Sequence, residues 1–335
     1  MPSSPSSSAR HLRPSGAKRR PPVIKAEVVA HQALEGSGTM PNKGASREAI
    51  QFHYDLGNRF YARLLGESMI YSAGLWDAVE GAKITLSEAQ NRKLDWHIAA
   101  AGLNPGQRLL DVGCGWGGLM ARAVAAKDLS RAVGLTLSDE QAAWIEEGRK
   151  DPRITVQNRP WQEFKNEEPF DAIVSIGAIE HFARPEMDTA AKLDCYSGFF
   201  EFCSRNLVDG GRLSLQSIIW MNMAPQNESS NLPLDFFPES NLPRQLELVQ
   251  AADPWFHLVE MHNRPRDYSR TLREWIWNLR ANRDALKPEF GEENIQRYQK
   301  AFAQFMYGFD SGITGLSRFS FVKKGPDWSS DHGTS

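Results

Sequence analysis

Cysteine is scarce in this sequence: 335 residues contain three, Cys114, Cys195 and Cys203, with no CxxC pair and no regular spacing. That excludes a disulfide framework and a cysteine-built zinc site, leaves no metal to expect, and fits a reducing compartment, so a cytoplasmic protein is expected. Long apolar runs are missing as well. No stretch approaches the roughly 18 consecutive apolar residues that a membrane-spanning helix needs, and the amino-terminal stretch lacks the apolar core of a secretory signal. Charge of one sign is not in excess either. A net charge of −2 and a pI near 6.5 provide no overall basic field for nucleic acid, and no nucleic-acid partner is expected. No internal repeat is found. What is present, 41% hydrophobic and 24% charged residues, suffices for one large or two modest globular domains with a packed core.

The composition changes along the chain. Residues 1–45, beginning "MPSSPSSSARHLRPSGAKRRPP", are rich in Ser, Pro, Arg and Lys; they bury too little to offset ordering and read as a disordered basic tail. The cluster from Arg13 to Lys25 reads as solvated, with peripheral contact to anionic lipid headgroups as the alternative. Residues 325–335, "GPDWSSDHGTS", read as a frayed end. Residues 46–324 then form a single domain, with an N-terminal helical cap over 46–100, a core over 101–220, acceptor-side helices over 221–310 and a last strand over 311–324.

Within that domain the hydrophobic period alternates. "TLSEAQNRKLDWHIAAAGL" has a Thr85/Glu88 capping box, apolar residues at Leu86, Ala89, Leu94 and Ile98, and a stop at Asn104-Pro105-Gly106, which specifies a helix. "RLLDVGCGWGG", "RAVGLTLS", "RITVQN", "FDAIVSIG" and "GRLSLQSIIW" are short apolar and β-branched runs, several separated by helical patterns such as "DEQAAWIEEGRK" and "CYSGFFEFCSRNL". This is an α/β pattern, a parallel sheet wrapped by helices. After residue 220 a polar, Pro-rich insertion is followed by "FHLVEMHN", two helical stretches and a last strand, "SRFSFVKK". A long insertion late in such a fold builds a lid over the ligand crevice.

The most informative stretch is "LLDVGCGWGG". A buried strand ends in Asp111, and Gly113, Gly115 and Gly117 follow at GxGxG spacing, so the loop can approach a ligand as the next helix begins. A dinucleotide fingerprint prefers GxGxxG with an acidic residue about 20 positions on. Here Thr136 and Gln141 of "GLTLSDEQ" stand in that region. Aromatic faces favour a cation, and Tyr54, Tyr61, Tyr71, Trp76 and Trp116 cluster in the motif segments.

Taken in order, "FHYDLGNRFY", "MIYSAGLW", "TLSEAQNRKLD", "LLDVGCGWGG", "GLTLSDEQA", "SIGAIEHF", "FFPESNLPR" and "DYSRTLREW" make the chain resemble S-adenosylmethionine-dependent methyltransferases of the cyclopropane-fatty-acid-synthase and mycolic-acid-synthase family, from about residue 50 to residue 324. The resemblance implies a class I methyltransferase fold: a seven-stranded Rossmann-like sheet, S-adenosylmethionine at its carboxyl edge, and an apolar acceptor tunnel under helical lid insertions. By the same resemblance Tyr71 and Ser72 contact the methionine end, Gly113 and Gly115 line its carboxylate and amino group, Thr136 and Gln141 hold the ribose, and Trp161 and Gln162 flank the adenine.

The sequence also departs from the family. Cyclopropane-forming members bind a bicarbonate ion with a cysteine, a glutamate, a histidine and a tyrosine. Here those positions are Ala73, Glu180, Gln216 and a site at or beside Ala301, with Tyr298 and Tyr307 about a helical turn away. Ala73 is expected to widen the pocket floor and remove an anion ligand. Glu180 and His181, at the end of the fourth strand, are the expected acid/base residues. Plant alkaloid N-methyltransferases carry Glu-x-x-Glu-His at this place; the first glutamate is Gly177 here and the Glu-His pair is kept. Relatives that methylate sphingolipid carbon also lack the cysteine and have a glutamine in the fifth strand. Apolar wall material is offered by Phe236, Phe237, Leu242, Trp275, Trp277, Phe302, Phe305, Met306, Tyr307 and Phe309, while Tyr268 and Arg270 are expected to close the site or cap a helix. The expected activity is methyl transfer to carbon of a lipid, isoprenoid or natural product. N-methylation of a hydrophobic amine, cyclopropane formation and a non-catalytic cofactor-binding protein are the alternatives, and the oligomeric state is open.

Overall fold

The computed structural model describes residues 46, 56–76, 84–148, 151–227, 236 and 239–325. The expected amino-terminal tail, Tyr54, Phe237 and the chain beyond Gly325 lie outside the described residues.

Five strands form the parallel part of the sheet; the central ones are nearly continuous apolar runs buried on both faces, as strands are when helices cover both sides, while the edge strand is partly exposed. The five are β1 (Arg108–Val112), β2 (Arg131–Thr136), β3 (Ile154–Asn158), β4 (Phe170–Ile176) and β5 (Leu207–Trp220). Two further strands, β6 (Phe256–Asn263) and β7 (Thr314–Lys323), complete a seven-stranded sheet of order β3-β2-β1-β4-β5-β7-β6. The sheet is thus mixed: the parallel strands read from the sequence are joined by β7, which runs antiparallel to both of its neighbours. Its first residue, Thr314, pairs with the last residue of β5, Trp220. The chain therefore re-enters the sheet at the carboxyl edge and can only run back along β5.

The helices follow their sequence signals closely. α1 (Gly57–Leu65) precedes α2 (Leu86–Ala100), whose Thr85 side chain accepts from the Glu88 amide while Glu88 accepts from the Thr85 amide, the expected reciprocal cap. α2 ends earlier than the Asn104-Pro105-Gly106 signal, since Gly102 already adopts φ +64°. Its buried face also holds more than apolar residues: Gln90, Lys93 and His97 are buried between Ala89, Leu94 and Ile98. α3 (Gly118–Lys127), α4 (Asp139–Gly148) and α5 (Thr189–Asn206) are the crossover helices, and α5 drives Phe199, Phe200 and Cys203 into the core. After β5 come α6 (Gln245–Ala252), α7 (Pro265–Ala281) and α8 (Arg283–Asp310), the last broken at Gly291, where φ is +75°. Among the described residues no helix is long and apolar enough to cross a membrane.

One polar contact set crosses the whole acceptor side. Arg318 on β7 is 1% exposed. It donates to Gln216 Oε1 on β5 at 2.8 Å, to Asp267 Oδ2 on α7 at 3.2 Å and to the Gly74 carbonyl at 3.0 Å. Arg264 donates to the same Asp267 oxygen at 2.8 Å. Removing one partner of a buried ion pair strands the other charge. Asp267→Ala is expected to lower stability to urea unfolding by about 3 kcal/mol, and Asp267→Asn, which keeps a hydrogen-bond acceptor, by less.

Candidate active site

The strand order reverses between β1 and β4, and an open parallel sheet places its ligand crevice at such a reversal. β1 delivers Asp111 there, and the turn that follows carries positive φ at Gly113 (+81°), Gly115 (+54°) and Gly117 (+74°). The three glycines serve different ends. A Cβ on Gly113 would stand 2.5 Å from that of Ala178, so this residue lets the turn pack against the end of β4. A Cβ on Gly115 would meet nothing within 4 Å, so this residue keeps the cradle open. Gly117 caps α3 in a left-handed conformation and does not line the cavity, contrary to its expected contact role.

Above the turn lies a cavity of about 170 Å³. Its walls include Tyr71, Ser72, Asp111, Gly113 and Gly115, and also Thr136, Gln141, Trp161 and Gln162, the residues expected at a cofactor. Thr136 donates to Gln141 Oε1 at 2.7 Å. Trp161 is fixed by three phenylalanines, Phe182, Phe199 and Phe202, with ring centroids 5.3 to 5.6 Å away. Tyr61, between Tyr71 at 5.5 Å and Trp116 at 5.1 Å, completes an aromatic cluster, and Tyr71 and Trp116 face the cavity. Lys93 also lines it, a residue the sequence reading missed. The signal was there: polar residues at 90, 93 and 97 repeat at helical spacing beside the apolar stripe of α2.

A second cavity, about 690 Å³, opens beside the first and shares Tyr71, Ser72, Gly177 and His181 with it. Its walls include Phe236, Leu242, Trp275, Phe302, Phe305 and Phe309. Tyr268 lines it too, stacked on Phe309 at 4.7 Å and 10°. Glu180 reaches this cavity from a 3₁₀ turn after β4. Its Oε1 accepts from the Ile218 amide at 2.7 Å, and its buried Oε2 has no partner. Burial raises the Glu180 pKa to about 7, against the lowering effect of the Ile218 bond. The neighbouring His181 has Nδ1 2.7 Å from Ser240 Oγ, and burial lowers its pKa to about 4, so the ring is neutral at ordinary pH.

Other expected residues lie elsewhere. Ala73 is fully buried in the aromatic cluster and lines neither cavity, so it does not widen the pocket floor: the Thr271 and Arg318 bonds to Gly74 hold this stretch against packed side chains. Gln216 does line the acceptor cavity, with its Oε1 engaged by Arg318. Tyr298 hydrogen-bonds Tyr61 at 2.8 Å and stays out of both cavities, whereas Tyr307, 68% exposed, sits at the rim of the larger one. Trp277 is 67% exposed and lines neither. Arg270 neither caps a helix nor closes the site; its guanidinium lies 4.1 Å from the Trp76 ring.

The residues fit S-adenosylmethionine: an open glycine cradle, a hydroxyl and amide pair for a ribose, an aromatic cluster for a cation and buried charges of both signs, Lys93 and Asp111, for an amino-acid end. Fold and site together define a class I, S-adenosylmethionine-dependent methyltransferase. The chain belongs to the mycolic acid cyclopropane synthetase family, whose model matches residues 42–319. It is 32% identical to cyclopropane mycolic acid synthase 2 of Mycobacterium leprae over 82% of this chain and 94% of that one. Similarity to the S-adenosylmethionine-dependent methyltransferase UmaA of Mycobacterium tuberculosis is 30% identity over 82% and 97% of the two chains. The crystal structure of mycolic acid cyclopropane synthase CmaA1 complexed with SAH and CTAB superposes with a TM-score of 0.72 at 31% identity, covering 84% of this chain and 99% of that one.

Gly115→Ala places a methyl group in the cradle and a side chain in a left-handed conformation that costs about 1 kcal/mol. The variant is expected to melt cooperatively and to bind S-adenosylmethionine at least about tenfold more weakly in equilibrium dialysis. Gly113→Ala is expected to lose more stability, because its Cβ would collide with the packed Cβ of Ala178 where that of Gly115 would enter open space.

Proposed function

We propose that the protein transfers a methyl group from S-adenosylmethionine to carbon of an apolar acceptor, a lipid, isoprenoid or related natural product, with Glu180 as proton acceptor. The observation that carries this reading is the unpartnered, buried Oε2 of Glu180 in an apolar cavity that meets the cofactor cavity at Tyr71 and His181. Tyr71 and Ser72 would hold the methionine end, Thr136 and Gln141 the ribose, and Trp161 and Gln162 the adenine. The bound cofactor supplies an electrophilic methyl group on a sulfonium centre.

The residues of this chain do the rest. Tyr71 and Trp116, backed by the buried Tyr61, present aromatic faces that favour the cation. The walls from Trp275, Phe302 and Phe309 exclude water and hold the acceptor with its reacting carbon toward the shared residues. Such alignment contributes about 7 kcal/mol or more to lowering a barrier. Glu180 Oε2 then takes the proton that the methylated carbon loses, and a carboxylate with its pKa raised to about 7 is a far better base than an ordinary one. The similarity to cyclopropane mycolic acid synthases supports a lipid acceptor. The three free, buried cysteines and the absence of a basic excess support a cytoplasmic enzyme without a nucleic-acid partner. A second reading, N-methylation of a hydrophobic amine, draws on the pair of Glu180 and His181 beside the junction, where Glu180, its pKa raised to about 7, is a stronger acceptor for the ammonium proton than His181, whose pKa burial lowers to about 4.

Incubation with methyl-labelled S-adenosylmethionine and a host extract, followed by mass spectrometry, is expected to show the label on carbon as a methyl or methylene branch. Label on nitrogen would transfer the assignment to the second reading. Glu180→Gln is expected to keep cofactor binding and to lose about 10²-fold or more in turnover; near-normal turnover would remove Glu180 from the mechanism. Because a base works deprotonated and the Glu180 pKa is about 7, the wild-type rate should rise with pH through that value and level off above it. The rise should be missing from the residual rate of Glu180→Gln.

A further inference from the structure

Lys93 has an unusual position for an ammonium group. It is 1% exposed, on the inner face of α2, and lines the cofactor cavity beside Ser72. An ammonium has three N–H donors. Among the described residues Lys93 Nζ has one hydrogen-bond acceptor, Ser72 Oγ at 2.9 Å, and no carboxylate within ion-pair distance. The guanidinium of Arg318 acts against its charge, and the carboxyl of Asp111 acts in its favour. Asp111 is itself 2% exposed, lines the same cavity and has no ion-pair partner among the described residues. Burial disfavours the charged form of each, lowering the pKa of Lys93 and raising that of Asp111.

Structural support of Ser72 does not account for the charge. Gln90 already holds the Ser72 carbonyl at 2.7 Å, and a neutral donor would serve the hydroxyl equally well. Two buried ionisable groups of opposite type on one cavity wall, with no ion pair between them, complement a ligand that brings both signs itself and so favours the charged form of each, and an α-amino acid end is such a ligand. The geometry points to Lys93 as an anchor for the carboxylate of the methionine end of S-adenosylmethionine, acting beside the Ser72 hydroxyl, with Asp111 facing the ammonium of the same group. This rests on the cofactor assignment above and adds to it the residue that distinguishes a carboxylated ligand from one without.

The test uses the purified full chain in calorimetric titrations with S-adenosylmethionine and with decarboxylated S-adenosylmethionine. Wild-type protein is expected to prefer the carboxylated ligand by about tenfold or more. Lys93→Met should weaken S-adenosylmethionine binding by about the same factor and leave the decarboxylated ligand bound as well as before, or better, so that the preference disappears. Lys93→Arg, which keeps the charge, should retain a preference, and Lys93→Gln serves if the methionine variant does not fold. Equal weakening of both ligands would make Lys93 a structural residue, and unchanged binding of both would remove it from the site; either overturns the inference. Wild-type protein that binds neither ligand would overturn the methyltransferase reading itself, an outcome distinct from loss of preference.

Discussion

The acceptor half of the molecule is organised around one buried guanidinium. Arg318 touches β5 through Gln216, α7 through Asp267 and the segment before α2 through the carbonyl of Gly74. Burying an arginine is unfavourable unless its donors are satisfied, and these three acceptors come from parts of the chain far apart in sequence. Their geometry is therefore coupled: β7 cannot shift against β5, nor α7 against the sheet, without stranding the charge. The Gly74 contact is the one that reaches the chemistry, because Ser72 and Tyr71 lie two and three residues before it and line both cavities. Thr271 reinforces it by accepting from the Gly74 amide at 3.0 Å.

From this frame the two cavities acquire different characters. The smaller is built from the carboxyl ends of β1, β2 and β4, where backbone turns and polar side chains dominate. The larger is built from aromatic side chains of α7 and α8 and the loop at Ser240 and Leu242. They meet where Tyr71, Ser72, Gly177 and His181 belong to both, which is where, on the proposed reading, cofactor and acceptor would approach each other. The loop that closes the acceptor side is itself pinned from the core, since the buried Lys192 donates to the Leu242 carbonyl at 3.1 Å and pairs with Glu247 at 3.3 Å.

How much of this the sequence revealed depends on the range of the interactions involved. The capping box at Thr85 and Glu88, the glycine turn and the apolar strands are local patterns, and each was readable from neighbours in the chain. Thr136, Gln141, Trp161 and Gln162 were readable through family resemblance, and the structure brings them to one cavity. The antiparallel entry of β7, the burial of Arg318 and the inward aim of Lys93 were not readable, because each depends on a partner 50 to 240 residues away or on the opposite face of a helix. Gly117 and Ala73 show the reverse error: motif membership placed them in the site, while a left-handed helix cap and a packed aromatic cluster account for where they are.

Of the four positions that the family resemblance leads one to compare with a bicarbonate site, one carries a carboxylate. Ala73 has no polar group and no access to either cavity. Gln216 faces the cavity, but its acceptor oxygen is engaged by Arg318. Ala301 lines the wall without a hydroxyl, and the nearby Tyr298 is paired with Tyr61. Glu180 is the one carboxylate lining the acceptor cavity among the described residues, and its second oxygen is unpartnered. Under the proposed reaction, a cavity whose one carboxylate has its proton affinity raised by burial would need no ion to complete its acid–base chemistry. The burial that would make a bicarbonate ion difficult to hold without its other ligands is, on the proposed reading, the same condition that raises the proton affinity of the remaining glutamate.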